Sequence, residues 1–323
     1  MALITSQYPP ERPLVTFALF AFNQEKYIRE AIEGALSQTY EPLEIVLSDD
    51  CSSDQTFQLI QELAEAYEGQ HTLRVRQNPK NLGLASHVNT VLNESNGDII
   101  ILAAGDDISL PDRTIISVNH LLSNRSATSV LLSADVIDHI GRKVGERRCV
   151  LEGKAAKTQT LRDLLTWKHM TFGATRAIRR EAFTRFGPLN TDCPTEDTPF
   201  LLRSLILGPN ILSPHKAVRY RQHERNLSSL ASIKKMKISE IYDQYKFDIA
   251  TALELKLITK DCERELENWM RKDYESRVLK LKLSSNELLS LKDSIKAIQN
   301  PAITVNEKRA FMRKYFTAFI GRI

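Results

Sequence analysis

Residues 98–108 read DIIILAAGDDI, an unbroken apolar run closed by a glycine and two adjacent aspartates. A short run of this kind with no polar interruption suits a strand buried on both faces, as in a parallel sheet covered by helices. Three similar runs precede it: LVTFALFAF (14–22), LEIVLS (43–48) and LRVRQ (73–77). Between them apolar residues recur at helical spacing, first Ile28, Ala31, Ile32, Ala35 and Leu36, then Ile60, Leu63, Ala64 and Tyr67, then Leu84, Val88, Val91 and Leu92. The order βαβαβαβ predicts an α/β fold with a Rossmann-like, mostly parallel sheet flanked by helices.

Beyond the fourth strand a helix is expected from about residue 113, with Pro111 and Asp112 suited to its start. RREAFTRFG and PFLLRSLILG read as helices ended by Gly187 and Gly208, and VRYRQH (218–223) as a strand. From residue 236 the pattern is helical. The expected organisation is therefore a first domain over 1–235 and a helical C-terminal extension over 236–323.

The composition narrows the function classes. With 42% apolar residues in 323, the chain can bury a sizeable core and is neither disordered nor fibrous. Cys51, Cys149, Cys193 and Cys262 are scattered, with neither a disulfide framework nor zinc-site spacing, which suits a reducing compartment. No apolar stretch approaches the ~20 residues needed to span a bilayer, and MALITSQYPPERP lacks the pattern of a secretory leader. A cytoplasmic protein is expected. The net charge of +4 is too small to argue for nucleic acid; residues 236–323 hold 17 Lys/Arg against 13 Asp/Glu, so the tail carries the whole excess.

In open α/β sheets ligands bind outside the carboxyl ends of the strands, so the residues closing each strand are site candidates. They are Asn23, then Asp49 and Asp50, then the loop NPKNLG, then Asp106 and Asp107. No GxGxxG follows the first strand and no GxxxxGK[ST] occurs, so a diphosphate would need other neutralisation. Paired carboxylates supply it through a hard divalent cation, Mn²⁺ or Mg²⁺, which completes its shell with phosphate oxygens and water. Neighbouring side chains on extended backbone point opposite ways, so Asp106 and Asp107 would do different jobs. The plainer reading is a solvated turn, for which Gly-Asp-Asp is good chemistry. In SDDCSSD, Ser53 or Asp54 suits a helix cap near Gln55, which leaves Asp49 and Asp50 in need of donors.

Six segments in order, VTFALFAFNQEKYIREAIEGALSQTY, EIVLSDDCSSDQT, NPKNLGLASHVN, GDIIILAAGDDI, TEDTPF and YRQHERNLSS, resemble the inverting glycosyltransferases of family 2, with their A-type nucleotide-sugar fold. The resemblance covers residues 14 to about 229. It implies that Asp50 accepts a hydrogen bond from the ring N–H of a uracil or thymine, that Ala21, Asn23 and Asn81 line the base and ribose pocket, and that Asp106 sits near the ribose or diphosphate. Asp107 would bind the metal, and Asp197 would be the general base that takes the acceptor's proton. Direct displacement at an anomeric carbon needs one such carboxylate, while metal and cations stabilise the leaving diphosphate. An acidic helix start is the plainer reading of Glu196 and Asp197, and the two are compatible. His223 and Asn226 match a segment that folds over the diphosphate in similar proteins; His223 would ligate the metal or bond a phosphate, and Arg221 would add charge. A solvated loop histidine is the alternative for His223. His87 lies in an apolar helical stripe and reads as a packing residue. Phe20, Phe22 and the pair His87–Val88 depart from the family pattern toward a more apolar pocket rim.

The expected partners are a nucleotide-sugar donor and a glycan or lipid-linked saccharide acceptor, with no nucleic acid. Met312, Tyr315, Phe316, Phe319 and Ile320 fall on one helical face beside Lys308, Arg309, Arg313 and Lys314. That face suits packing within the protein, a homodimer contact, or peripheral attachment to an anionic membrane. A non-catalytic nucleotide-sugar-binding or scaffold subunit is the rival reading of the whole chain. A sugar-1-phosphate nucleotidyltransferase is disfavoured, because FNQEKY offers no Gly-rich basic loop.

Overall fold

The computed structural model describes residues 12–151, 153–226, 229–285 and 289–320, apart from the side chains of 230, 231 and 316–320. The first part runs β1 (Val15–Ala21), α1 (Ile28–Leu36), β2 (Leu43–Asp49), α2 (Thr56–Glu65), β3 (Thr72–Gln77), α3 (Leu84–Glu94) and β4 (Ile99–Ala104). Each strand and helix expected there forms. β1 pairs in parallel with both β2 and β4, with Ala21 opposite Asp49 and Phe20 opposite Ala104, so the three strands end level.

The next part is more irregular. It runs β5 (Ile108–Ser109), α4 (Arg113–Ser123), β6 (Ser129–Ile137), β7 (Lys143–Arg147), β8 (Lys157–Gln159) and α5 (Leu161–Leu165). A 3-10 turn (Gly173–Thr175), β9 (Ala177–Arg179), α6 (Glu181–Thr184), α7 (Asp197–Leu207) and β10 (Asn210–Arg221) complete it. The sheet order is β3-β2-β1-β4-β9-β6-β10-β5, with β7 beside β6 and β8 beside β10. The sheet is mixed: its longer pairings, β1 with β2 and β4, β2 with β3 and β6 with β10, are parallel as expected, and the shorter ones are not. β9 enters antiparallel between β4 and β6, and β5, β7 and β8 also pair antiparallel. These pieces of two to five residues are too short to show a periodicity, and β6 lies in a stretch that carried no strand assignment.

The alternation of β1, β2 and β4 splits the core into two faces. Phe17, Leu19, Ile45, Leu47, Ile99 and Ile101 pack toward α1 and α4, whereas Ala18, Val46, Ile100 and Leu102 pack toward α3 and α7. The tail comprises α8 (Leu230–Lys235), α9 (Ile238–Glu254), α10 (Lys260–Ser284), α11 (Leu291–Gln299) and α12 (Val305–Ile320). Ile241, Tyr245 and Ile249 of α9 and Leu266, Trp269 and Met270 of α10 belong to the same apolar cluster as α3 and α7. Inside it, the fully buried Arg203 of α7 pairs with the fully buried Asp248 of α9 at 2.9 Å. A smaller cluster of Leu279, Leu289, Ala297, Ile303 and Phe311 joins the end of α10 to α11 and α12. On α12, Phe311 is the buried aromatic, while Met312 and Tyr315 are half-buried; the side chains of Phe316, Phe319 and Ile320 lie outside the described residues. Among the described residues no helix is long and apolar enough to cross a membrane.

Candidate active site

Level strand ends bring the candidates together. At the end of β2, the buried Asp49 and Asp50 each meet donors, which answers the repulsion between them. Asp49 accepts Ser52 N–H at 2.8 Å and Gln77 Nε2 at 2.9 Å, closing the turn. Asp50 accepts Asn78 Nδ2 at 2.6 Å and Leu82 N–H at 2.9 Å on one oxygen, and Gly83 N–H at 3.0 Å on the other. It thus fixes the loop 78–83, with Gly83 at φ +79°, a conformation that favours glycine. A carboxylate offers about four acceptor positions, so one remains for a ligand N–H.

Ala21 is buried and its carbonyl accepts Asp50 N–H at 2.9 Å. Asn23, at φ +52°, uses its side-chain oxygen on Ser53 N–H at 2.8 Å, and so ties the first strand end to the second. Asp54 rather than Ser53 meets the start of α2, accepting Thr56 N–H at 3.0 Å. Asn81 is exposed at the loop tip, with its oxygen on Gly83 N–H. His87 is a packing residue as expected. Its Nε2 lies 2.5 Å from Ser48 Oγ, which also accepts from Arg76 at 2.7 Å, so Ser48 donates to a neutral ring. Burial pushes its pKa down to about 4.

Asp106 and Asp107, both buried, follow β4 and face the end of β10. Asp107 accepts Arg221 N–H at 2.8 Å. Burial first, then the Asp106 charge, holds the Asp107 carboxyl well above the ordinary carboxylate range. Asp106 Oδ2 meets His223 Nε2 at 2.9 Å and Asn226 Nδ2 at 3.3 Å. His223 is not a solvated loop residue: its ring stacks on Tyr27 with centroids 4.8 Å apart, and Nδ1 accepts Arg225 N–H at 3.2 Å. With Nδ1 accepting, Nε2 carries the proton that is donated to Asp106.

Arg221 is already engaged by protein groups. Its guanidinium is fully buried, bonding Asp106 C=O at 3.0 Å, Asp138 C=O at 3.3 Å and Glu30 at 2.5 Å, with Tyr27 packed 4.9 Å from its centre. The charge expected near the diphosphate thus also frames the acidic pair. Arg113, also fully buried, bonds Leu102 C=O at 2.7 Å and Ala174 C=O at 3.0 Å, binding β4 to the 3-10 turn.

That turn seats Asp197, the first residue of α7. Asp197 Oδ1 accepts Thr171 Oγ1 at 2.9 Å and Arg176 Nη2 at 2.8 Å, and Arg176 is fully buried. Gly173 permits the approach, since a Cβ there would stand 2.8 Å from the Asp197 carboxyl carbon. Next to it, Glu196 is raised to about 7 by burial and by Asp197. Tyr27, Glu30, Thr171 and Arg176 escaped the sequence reading because their roles arise from long-range contacts. An arginine alone within an apolar run, as in FGATRAI, was the available signal.

Residues 16–187, more than half of the chain, match the family profile described as Glycosyl transferase family 2. The chain belongs to glycosyl transferase family 2. The α/β sheet and flanking helices described above are the architecture in which that match lies. It is 33% identical over 129 residues to the putative glycosyltransferase EpsE of Bacillus subtilis, a match spanning 40% of this chain and 46% of that protein. An uncharacterized glycosyltransferase of Haemophilus influenzae is 26% identical over 230 residues, 68% of each chain. Against the first of these the chain therefore spans less than half of the relative's length. Among solved structures, Staphylococcus aureus TarS 1-349 superposes with a TM-score of 0.60 at 16% identity, covering 93% of this chain and 80% of that one. The mannosyltransferase PcManGT of Pyrobaculum calidifontis, solved with GDP-Man and Mn²⁺, gives 0.55 at 15% identity over 96% and 88%. Both likenesses concern the fold.

Among the described residues, no group of three or more His, Cys, Asp or Glu side chains forms a ready metal cage. The acidic pair nevertheless fits a hard cation. Burial, and after it the Asp106 charge, raises Asp107, a cost that a bound cation would relieve, and a site of this type needs only one or two protein carboxylates when phosphate and water supply the rest.

Proposed function

We propose that this enzyme moves a sugar, with inversion, from a uridine- or thymidine-diphosphate sugar to a hydroxyl of a glycan or lipid-linked saccharide, in cytoplasmic synthesis of a bacterial surface polysaccharide. The observation that carries this reading is the buried Asp106–Asp107 pair, held at the end of β4 by the Arg221 N–H and by His223 and Asn226. Asp50 would add a base N–H to the donors it already accepts, between Ala21, Asn23 and Asn81. Asp106, turned by His223, would meet the ribose or diphosphate.

Asp107, with His223 once its Nε2 has left Asp106 and lost its proton to solvent, would hold Mn²⁺ or Mg²⁺, which would neutralise the departing diphosphate. Asp197 takes the acceptor's proton. Thr171 and Arg176 occupy its Oδ1, which leaves Oδ2 as the basic oxygen in this assignment. Arg176 also keeps that carboxylate aimed while the acceptor enters.

The test is thermal shift and transfer with UDP-, dTDP- and GDP-sugars, with and without Mn²⁺. A uridine or thymidine donor should raise the melting temperature in a Mn²⁺-dependent way. Asp107→Ala should abolish that metal dependence, and Asp197→Asn should keep donor binding while turnover falls about 10²- to 10⁴-fold. A GDP-sugar preference would overturn the base assignment. Undiminished turnover in Asp197→Asn would remove the proton-acceptor role.

A further inference from the structure

The helix α11, sequence LKDSIKAIQ, has its polarity reversed for a helix on a protein surface. It buries Ser294 and Ala297, while Leu291, Ile295 and Ile298 stand 54%, 45% and 46% exposed. Their spacing of four and three residues places them along one face. Val305, opening α12, adds a side chain 65% exposed. The small buried residues fix the helix in this orientation, with Ala297 seated among Leu279, Leu289, Ile303 and Phe311. The apolar strip therefore faces outward by construction, and such strips mark interaction sites.

The charges around the strip are sorted. Asp293 turns back to Lys282 at 3.0 Å and Glu307 to Lys280 at 3.2 Å, so both acids pair with the underlying α10. Lys292 and Lys296 each follow a strip residue by one position, about 100° round the helix. Both are exposed, as is Arg309 on α12, and Lys296 also reaches Glu275 of α10 at 3.4 Å, which leaves Lys292 and Arg309 as the main cations at the strip's edge.

We propose that α11 and the start of α12 dock on an anionic lipid bilayer, with Leu291, Ile295, Ile298 and Val305 entering the headgroup boundary and Lys292 and Arg309 facing the lipid phosphates. A nine-residue helix is far too short to span, and an apolar strip edged by cations is the pattern of a helix lying in the interface. Anionic headgroups complement the exposed cations. A second copy of the chain fits less well, because a two-fold contact over this face would bring the lysines of one copy to the same interface as those of the other. The inference is independent of the donor and acceptor assigned above.

The experiment is co-sedimentation of the full chain with vesicles of phosphatidylcholine alone and of phosphatidylcholine mixed equally with phosphatidylglycerol. The parent should pellet with the mixed vesicles and stay in solution with the neutral ones. The triple variant Leu291→Ser, Ile295→Ser, Ile298→Ser should lower partitioning about tenfold or more. Its unfolding midpoint should hold, since those side chains are exposed. Lys292→Glu with Arg309→Glu should weaken binding most at low salt. Failure of the parent to bind the anionic vesicles, or equal binding by the triple variant, would overturn the proposal. So would a dimer in light scattering that the triple variant dissociates, because that would assign the strip to a second copy.

Discussion

Asp50 shows how one side chain can serve both frame and ligand. Its carboxylate holds three donors of the loop 78–83, so Asp50→Asn should loosen that loop before it touches any nucleotide. The expected loss is about 1–3 kcal/mol of stability with weaker donor binding, measured by urea unfolding and donor titration. Gly173→Ala tests the seat of Asp197 instead. The added Cβ crowds the carboxylate, so turnover should fall by about a hundredfold while donor affinity holds. At this scale the sequence exposes acids well, because a carboxylate at a strand end is conspicuous. It conceals their keepers. Nothing local marks Arg221 as a buried clamp rather than a phosphate ligand; that depends on Glu30 and Tyr27, nearly two hundred residues away in the chain.

Elements joined by a buried charge pair stand or fall together. Arg203 on α7 and Asp248 on α9 have no exposed surface, and Gln244 Nε2 adds a bond to Asp248 at 2.9 Å. Asp248→Ala strands the guanidinium in an apolar cluster and should cost about 3–5 kcal/mol, seen as a lower urea midpoint. The N-terminus of α7, which carries Asp197, should loosen as well. The helices and strands of the first 104 residues were legible because each is long enough to show its period and each ends on turn chemistry. β5, β7, β8 and β9 were not, since their pairing partners and not their own residues make them strands. The inverted face of α11 was also hidden, because periodicity reveals a stripe without saying which way it points.

Over the whole molecule, the buried His87 and the half-buried Glu196 bend the pH dependence in opposite directions. His87 sits at about 4 against an ordinary 6.5, so the unfolded chain takes up a proton that the fold refuses, and stability falls as pH drops through that window, by up to roughly 3 kcal/mol. Glu196 sits at about 7 against an ordinary 4.5, so its contribution is full below 4.5 and is lost as pH rises toward 7. Urea unfolding at about pH 5 and pH 7 should therefore show a steeper acid loss in Glu196→Gln than in the parent. Family and general architecture were legible from six ordered segments. The mixed sheet was not, because it depends on the three residues of β9.

Those three residues set an order of events during synthesis. β9 lies between β4 and β6 and bonds to both, yet it is made more than seventy residues after β4. A chain that has emerged as far as β4 forms a four-stranded unit whose outer edge at β4, Ile99 to Ile101, is unpaired and oily. Until Ala177 to Arg179 emerge, that edge is open to any other strand in reach. Chains released between residues 105 and 176 should therefore aggregate in a pelleting assay through the Ile99–Ile101 edge, and a chain carried past 221, with β9 and β10 both in place, should not.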